Sequence, residues 1–464
     1  MNDRTNWLEY DAEEIVRGDR DYLWHHLKPH KVFQTAEQMI IVEGKGLRVK
    51  DIRGREYLDA TSGGVWSVLV GHGRESIAAA VYEQLKTLAY YAGTVGNVPT
   101  VKFAAKLIEL LPRLGKVFFS NSGSEANEKA FKIVRQLSHI DPARKGKYKI
   151  LFRDRAYHGT TIGALSATGQ WERKQHYGPL AEGFVEFPHA LCYRCPVDKT
   201  YPGCDIDCAR SMEDVILKEG ADSIGGCIVE PITAGGGIIV PVPEYYPILQ
   251  EICTKYGIYL IMDEVVCGFG RTGKFWGHDQ YEVDPDMVTM AKGLASSYMP
   301  LSATAVRQEI FNKFLCDPND PAERMNYFRD ISTYGGCAGA TTAALESTRI
   351  IEAENLVENS RVVGDYLLKG LQSLSDMPIV GNVRGKGLFC GIEFVKDKQT
   401  KEPITEAEMG RIMGLVAAEG VLAGRTSSSL PGNNTIMNFA PALIATKEDI
   451  DEIVTAVKTA IEKF

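Results

Sequence analysis

Apolar and polar positions alternate along residues 40–49 and 53–59 about the Gly54 turn, which predicts short strands. From about residue 75 the period lengthens. Residues 77–88 and 101–111 carry helical spacing, and Pro112 lies just past the second stretch. Short, largely apolar runs then follow at 117–120, 149–152, 227–229, 259–262, 288–290 and 302–306, most of them separated by helical patterns, with a helix expected over 124–137. Strands that are apolar throughout are covered on both faces, as in a parallel sheet. The pattern therefore predicts an α/β fold. A three-layer, mostly parallel domain spans 70–330, and a smaller α+β domain spans 331–464. Residues 1–69 form an N-terminal segment packing with the smaller domain. That domain is expected to hold a strand at 387–394, a helix at 406–419, a strand at 421–423 and a closing helix after Thr446. Thr446 and Asp449 have the spacing of a capping box.

Composition narrows the class. The chain has 464 residues, 44% hydrophobic and 24% charged, enough to bury a large core. Its 52 basic residues against 60 acidic ones leave a net charge of −8, which argues against a nucleic-acid partner. The apolar run around 258–262 is far shorter than the ~20 residues a membrane helix needs. The first residues are polar, so no membrane partner and a cytoplasmic location are expected. Four of the ten cysteines, Cys192, Cys195, Cys204 and Cys208, form a C-x2-C-x8-C-x3-C cluster. Four thiolates can close a zinc site. The second pair is loosely spaced and the segment is rich in turn residues, so a reduced surface excursion without metal is preferred.

Three segments carry chemistry. Ser122-Gly123-Ser124 stands between a strand and a helix, where free backbone N–H groups and the helix dipole favour an anion. It lacks the lysine of a nucleotide-binding loop. The run 259–262 leads straight into Asp263 and Glu264, acids at the carboxyl end of a buried strand, where open α/β sheets bind ligands. The run 288–290 ends at Lys292, and desolvation there lowers a lysine pKa and suits Schiff-base chemistry. A phosphate cup, a buried acid and a nucleophilic lysine together fit pyridoxal 5'-phosphate.

From residue 260 to 294 the sequence resembles the signature of the class III (omega) aminotransferases, fold type I of the pyridoxal phosphate enzymes, and the likeness extends from Trp24 to the C-terminal helix. The resemblance implies that Lys292 bonds the cofactor and that Asp263 pairs with its pyridinium nitrogen. Tyr157, in Ala156-Tyr157-His158-Gly159, would stack on the ring beside His158, with Val265 against the opposite face. Ser122, Gly123 and Ser124 would hold the phosphate, and Glu230 would lie beside the site. Thr333 matches a threonine that reaches the partner subunit's cofactor phosphate. That implies a homodimer with shared active sites, or a tetramer of such dimers.

Departures narrow the substrate. Family members using 2-oxoglutarate often carry an arginine before Phe-Ala-Pro; here Asn438 precedes Phe439-Ala440-Pro441, and Val266 replaces a frequent glutamine. Both resemble the pyruvate-using branch, in which Arg425 would bind the acceptor carboxylate and Trp66 would wall the pocket. With the insert Tyr193-Arg194-Cys195-Pro196, the resemblance implies transfer from an ω-amine, taurine first among them, to the keto acid pyruvate. β-Alanine, hypotaurine or a diamine as donor, or an aminomutase of the same fold, remain the alternatives.

Overall fold

The computed structural model describes residues 9–27, 30–426 and 435–464. Near the N-terminus, β1 (Ile41–Lys45), β2 (Arg48–Asp51) and β3 (Glu56–Asp59) form an antiparallel meander. The central sheet is built from β4 (Lys116–Ser120), β5 (Lys149–Arg153), β6 (Phe184–Phe187), β7 (Ile224–Val229), β8 (Tyr259–Asp263), β9 (Met287–Met290) and β10 (Ser302–Val306). Its spatial order is β4-β10-β9-β8-β7-β5-β6. The pairs from β9 to β6 are parallel, whereas β10 is antiparallel to both its neighbours. Six strands therefore point one way and end at a common edge.

The apolar runs are explained by cover on both faces. Along β5, Ile150 and Phe152 face one core cluster and Leu151 faces the other. In β8, Ile261 faces the first while Leu260 and Met262 face the second. The helix Gly123–Ile140 covers the first face through Ala130, Phe131, Val134 and Leu137. Helices Asp207–Glu219 and Tyr245–Tyr256 cover the second through Met212, Ile216 and Leu249.

The C-terminal part holds β11 (Val380–Gly385), β12 (Cys390–Asp397), β13 (Glu402–Pro403), β14 (Val421–Leu422), β15 (Gly424–Arg425) and β16 (Ile436–Phe439). Strands β11-β12-β16-β15 form an antiparallel sheet, while β14 leaves it to pair in parallel with β3. The closing helix Lys447–Glu462 starts with the expected capping box. Asp449 N–H donates to Thr446 Oγ1 (3.2 Å), and Thr446 N–H donates to Asp449 Oδ2 (2.9 Å). The strand expected at 387–394 begins instead at Cys390. Gly387 takes φ +57° and lies against the backbone of residues 271–273, so the chain turns there. Arg271 locks this junction by donating to the carbonyls of Leu388 (3.0 Å) and Pro441 (2.6 Å) and to Ser62 Oγ (2.9 Å). Among the described residues, no helix is long and apolar enough to cross a membrane.

Candidate active site

The segments with candidate chemistry all follow strands that end at the same edge of the central sheet. Ser122–Ser124 follow β4, Tyr157 and His158 follow β5, Glu230 follows β7, Asp263 ends β8 and Lys292 follows β9. Chain direction is thus what gathers residues more than 100 positions apart.

At β4, Ser122 is the N-cap of the helix Gly123–Ile140, and its hydroxyl accepts from Glu125 N–H (3.2 Å). An eighteen-residue helix directs its dipole into this turn. Ser124 Oγ accepts from Thr160 N–H (3.1 Å), joining the turn to the Tyr157 loop. Gly159 between them has φ +137°, and a Cβ there would sit 2.3 Å from Ser124 Oγ. No larger residue fits. A Cβ on Gly123 would meet both Val265 methyls at 3.1 Å, so the anion turn and the loop after β8 are in direct contact.

Asp263 is buried and receives three donors, as a carboxylate can. Asn127 Nδ2 (2.9 Å) and His158 Nδ1 (2.8 Å) donate to Oδ2, and Val265 N–H donates to Oδ1 (3.0 Å). Because the carboxylate only accepts, the His158 proton is on Nδ1. Asn127, whose Nδ2 also donates to the His158 carbonyl (2.7 Å), was not singled out from sequence. Its one signal was its position a single turn into the helix Gly123–Ile140. Glu264, the adjacent acid, turns the other way. It accepts from Gly277 N–H (2.9 Å), His278 N–H (2.8 Å) and His278 Nδ1 (2.7 Å), and so holds a neighbouring turn.

Glu230 is buried against the Tyr157 loop, with Oε1 accepting from Tyr157 N–H and Oε2 from Ala234 N–H, both 3.0 Å. Burial pushes its carboxyl above the usual range. Arg173 lies over the Tyr157 ring, 4.8 Å from its centroid. Lys292 sits in the left-handed region at φ +43°, a strained conformation for a residue with a side chain. Desolvation lowers its pKa from the ordinary lysine value, against the opposing pull of Asp263 and Glu230. Its Nζ lies 5.2 Å from the centroid of the Trp66 ring.

Trp66 comes from a turn far away in sequence, at φ +65°, held by Asp59. Asp59 Oδ2 accepts from Gly63 N–H (2.6 Å), and Oδ1 accepts from Thr61 N–H (2.9 Å). Arg425, in β15, pairs with Glu406 (3.0 Å) at the start of the helix Glu406–Ala418. Thr333 is exposed, one residue beyond Ser332, whose hydroxyl donates to Glu125 Oε2 (2.9 Å) and accepts from Asn121 Nδ2 (2.9 Å). In the single chain, Arg425 thus has a partner of its own in Glu406, while Thr333 follows a serine bonded to the turn after β4.

Cys192, Cys195, Cys204 and Cys208 line one small cavity beside Tyr201 and Tyr245. All ten cysteines are free thiols, and burial pushes Cys208 up to about 12. Among the described residues, no three His, Cys, Asp or Glu side chains are grouped to hold a metal ion.

This donor set suits pyridoxal phosphate: a helix N-terminus for the phosphate, a buried and triply oriented acid for the ring nitrogen, and a desolvated amine for the carbonyl carbon. His158 Nε2 and Asn127 Oδ1 have no hydrogen-bond partner though buried, so the polar floor beneath Asp263 has capacity to spare.

Comparison with known proteins agrees. The family model described as aminotransferase class-III matches residues 31–461. A taurine–pyruvate aminotransferase from Bilophila wadsworthia is 52% identical over 457 residues, covering 98% of each chain. A hypotaurine/taurine–pyruvate aminotransferase from Paracoccus denitrificans is 49% identical over 454 residues, again covering 98% of each. Among solved structures, the omega transaminase from Pseudomonas jessenii in complex with PMP superposes with a TM-score of 0.90 at 31% identity, covering 97% of this chain and 98% of that one. The chain belongs to the class-III aminotransferases, enzymes that work with pyridoxal phosphate.

Proposed function

We propose that this enzyme transfers the amino group of taurine to pyruvate, giving sulfoacetaldehyde and alanine. The observation that carries the reaction class is the meeting of Lys292, Asp263 and the helix N-terminus at Ser122 on one sheet edge. Likeness to the taurine–pyruvate enzymes, at about half identity over nearly the whole chain, supports the donor and the acceptor.

When bound, pyridoxal phosphate supplies the electron sink that lets an amine-bearing carbon lose a proton. Ser122, Gly123, Ser124 and the helix N-terminus would hold its phosphate. Asp263, aimed by Asn127 and His158, would keep a proton on the ring nitrogen. Tyr157 and Val265 would flank the ring, and Glu230 fixes the Tyr157 backbone that does so. Lys292 would bond the cofactor at rest. Freed for catalysis, its Nζ would take the proton from the donor carbon and return it one position away, acting as base and then as acid. Desolvation favours the neutral amine that this role needs. Arg425 would leave Glu406 to grip the pyruvate carboxylate, or the taurine sulfonate, through two parallel hydrogen bonds. Trp66 would wall the pocket over Lys292.

The exposed Thr333 suits a homodimer in which that residue reaches the other subunit's phosphate. Ten free thiols suit the reducing cytoplasm.

The test supplies taurine and pyruvate to the holoenzyme and counts both products. Alanine and sulfoacetaldehyde should form one to one, with a higher kcat/KM for taurine than for hypotaurine or β-alanine. A clear preference for β-alanine would replace the donor. Amine conversion that needs no keto acid would favour an aminomutase.

A further inference from the structure

Asn438 is almost fully buried in β16, 1% exposed, at the register position flanked by Gly424 of β15 and Gly391 of β12. Its Oδ1 accepts from Trp66 Nε1–H at 2.8 Å, across 372 residues of sequence. Its Nδ2 has no hydrogen-bond partner. Gly424 leaves room for this amide, because a Cβ there would stand 2.3 Å from Asn438 Oδ1 and 2.9 Å from Nδ2. An unpartnered buried donor costs about 1–3 kcal/mol, so the amide is kept at a cost and its acceptor side is the part in use.

The turn that carries Trp66 packs the indole against a small apolar cluster that includes Val266 and Phe389, contacts that carry no direction of their own. Gly63, Gly64 and Trp66 all have positive φ, and Gly64 would meet nothing within 4 Å if given a Cβ. Asp59 holds the backbone of the turn, and Ser62 Oγ donates to the Ala440 carbonyl at 2.6 Å. The ring itself touches Phe389 edge-on, with centroids 5.6 Å apart, and stands 5.2 Å from Lys292 Nζ. Of the polar contacts described here, the Asn438 bond is the one that fixes the rotation of the indole plane over the lysine.

We infer that Asn438 is a positioning residue that sets the width of the amine pocket by pinning Trp66, with Gly424 as the small residue that makes the pin possible. It acts through the tryptophan. The inference rests on the reading of the Lys292 cleft as the amine site. It adds that the selection of a slim donor is governed from β16, the strand paired directly with the β15 strand that carries Arg425.

The experiment uses holoenzyme carrying 15N-labelled tryptophan, whose five indole N–H signals include one that Trp66→Phe removes. In Asn438→Leu that signal should move upfield and exchange faster with solvent, as the bond is lost, while the other four stay. kcat/KM for taurine relative to benzylamine should fall about tenfold in Asn438→Leu, the scale of a pocket altered by a group or two. Trp66→Phe should give a similar fall, and the double variant no more than either single one, because both remove one bond. Should Asn438→Leu not fold, Asn438→Ser, too short to reach the indole, takes its place. An unmoved Trp66 signal, or additive losses in the double variant, would overturn the inference. If the wild-type enzyme ignores taurine, the donor assignment fails and the indole signal alone decides the role of Asn438.

Discussion

The burial of Lys292 costs stability in the free protein. Its pKa is lowered by desolvation, so between that value and the ordinary 10.5 an unfolded chain binds a proton at this residue that the folded chain does not. Stability of the cofactor-free protein therefore rises with pH across that window, and the burden of the buried amine is greatest below it. Lys292→Met should make the cofactor-free protein more stable at neutral pH and flatten its pH dependence, as urea denaturation would record, while abolishing turnover. An unchanged slope would contradict the burial. Asp263 and Lys292 were legible in the sequence, because charged residues directly after buried apolar runs stand out. Asn127 and the pin at Asn438 were not. Their partners are 136 and 372 residues away, and an asparagine among polar or apolar neighbours shows no pattern of its own.

At the scale of elements, the helix Gly123–Ile140 both caps its own start and aims its dipole at the anion turn. Ser122→Ala should cost about 1 kcal/mol of stability through the lost cap. It should also weaken pyridoxal phosphate binding several-fold, as dialysis and absorbance would report. Intact affinity would remove Ser122 from the phosphate cup. Strand β15 carries Arg425, so Arg425→Ala should raise the KM for pyruvate at least tenfold and that for an uncharged amine little; equal losses would deny it the acceptor role. Strands covered on both faces, such as β7 and β8, were legible as apolar runs. The antiparallel course of β10 was not, because burial on two faces looks the same in either direction. Strands β6, β11 and β16 escaped notice for another reason. Phe184–Phe187 has a glutamate third, and Val380–Gly385 is largely half-buried with an arginine inside. Ile436–Phe439 places Asn438 within an otherwise apolar run, and its pairing with β12 and β15 is wholly tertiary.

The whole molecule places its chemistry by chain direction: six strands end at one edge, and the loops after five of them carry the candidate residues. The order of the signals in the sequence already implied this edge, while the joining of β3 to β14 and the Arg271 lock depended on contacts no local pattern reports. Exposed Thr333 belongs to this scale. The protein should sediment at twice its 51.2 kDa chain mass, and Thr333→Ala should loosen the cofactor without changing that mass. Cofactor retained as tightly as in the wild type would deny the shared site. The most direct measurement is the visible spectrum of the holoenzyme, taken before and after taurine is added without any acceptor. Taurine should bleach the band of the pyridoxal form to that of the pyridoxamine form, and pyruvate should restore it. A band that ignores taurine, or that pyruvate fails to restore, would contradict the proposed reaction.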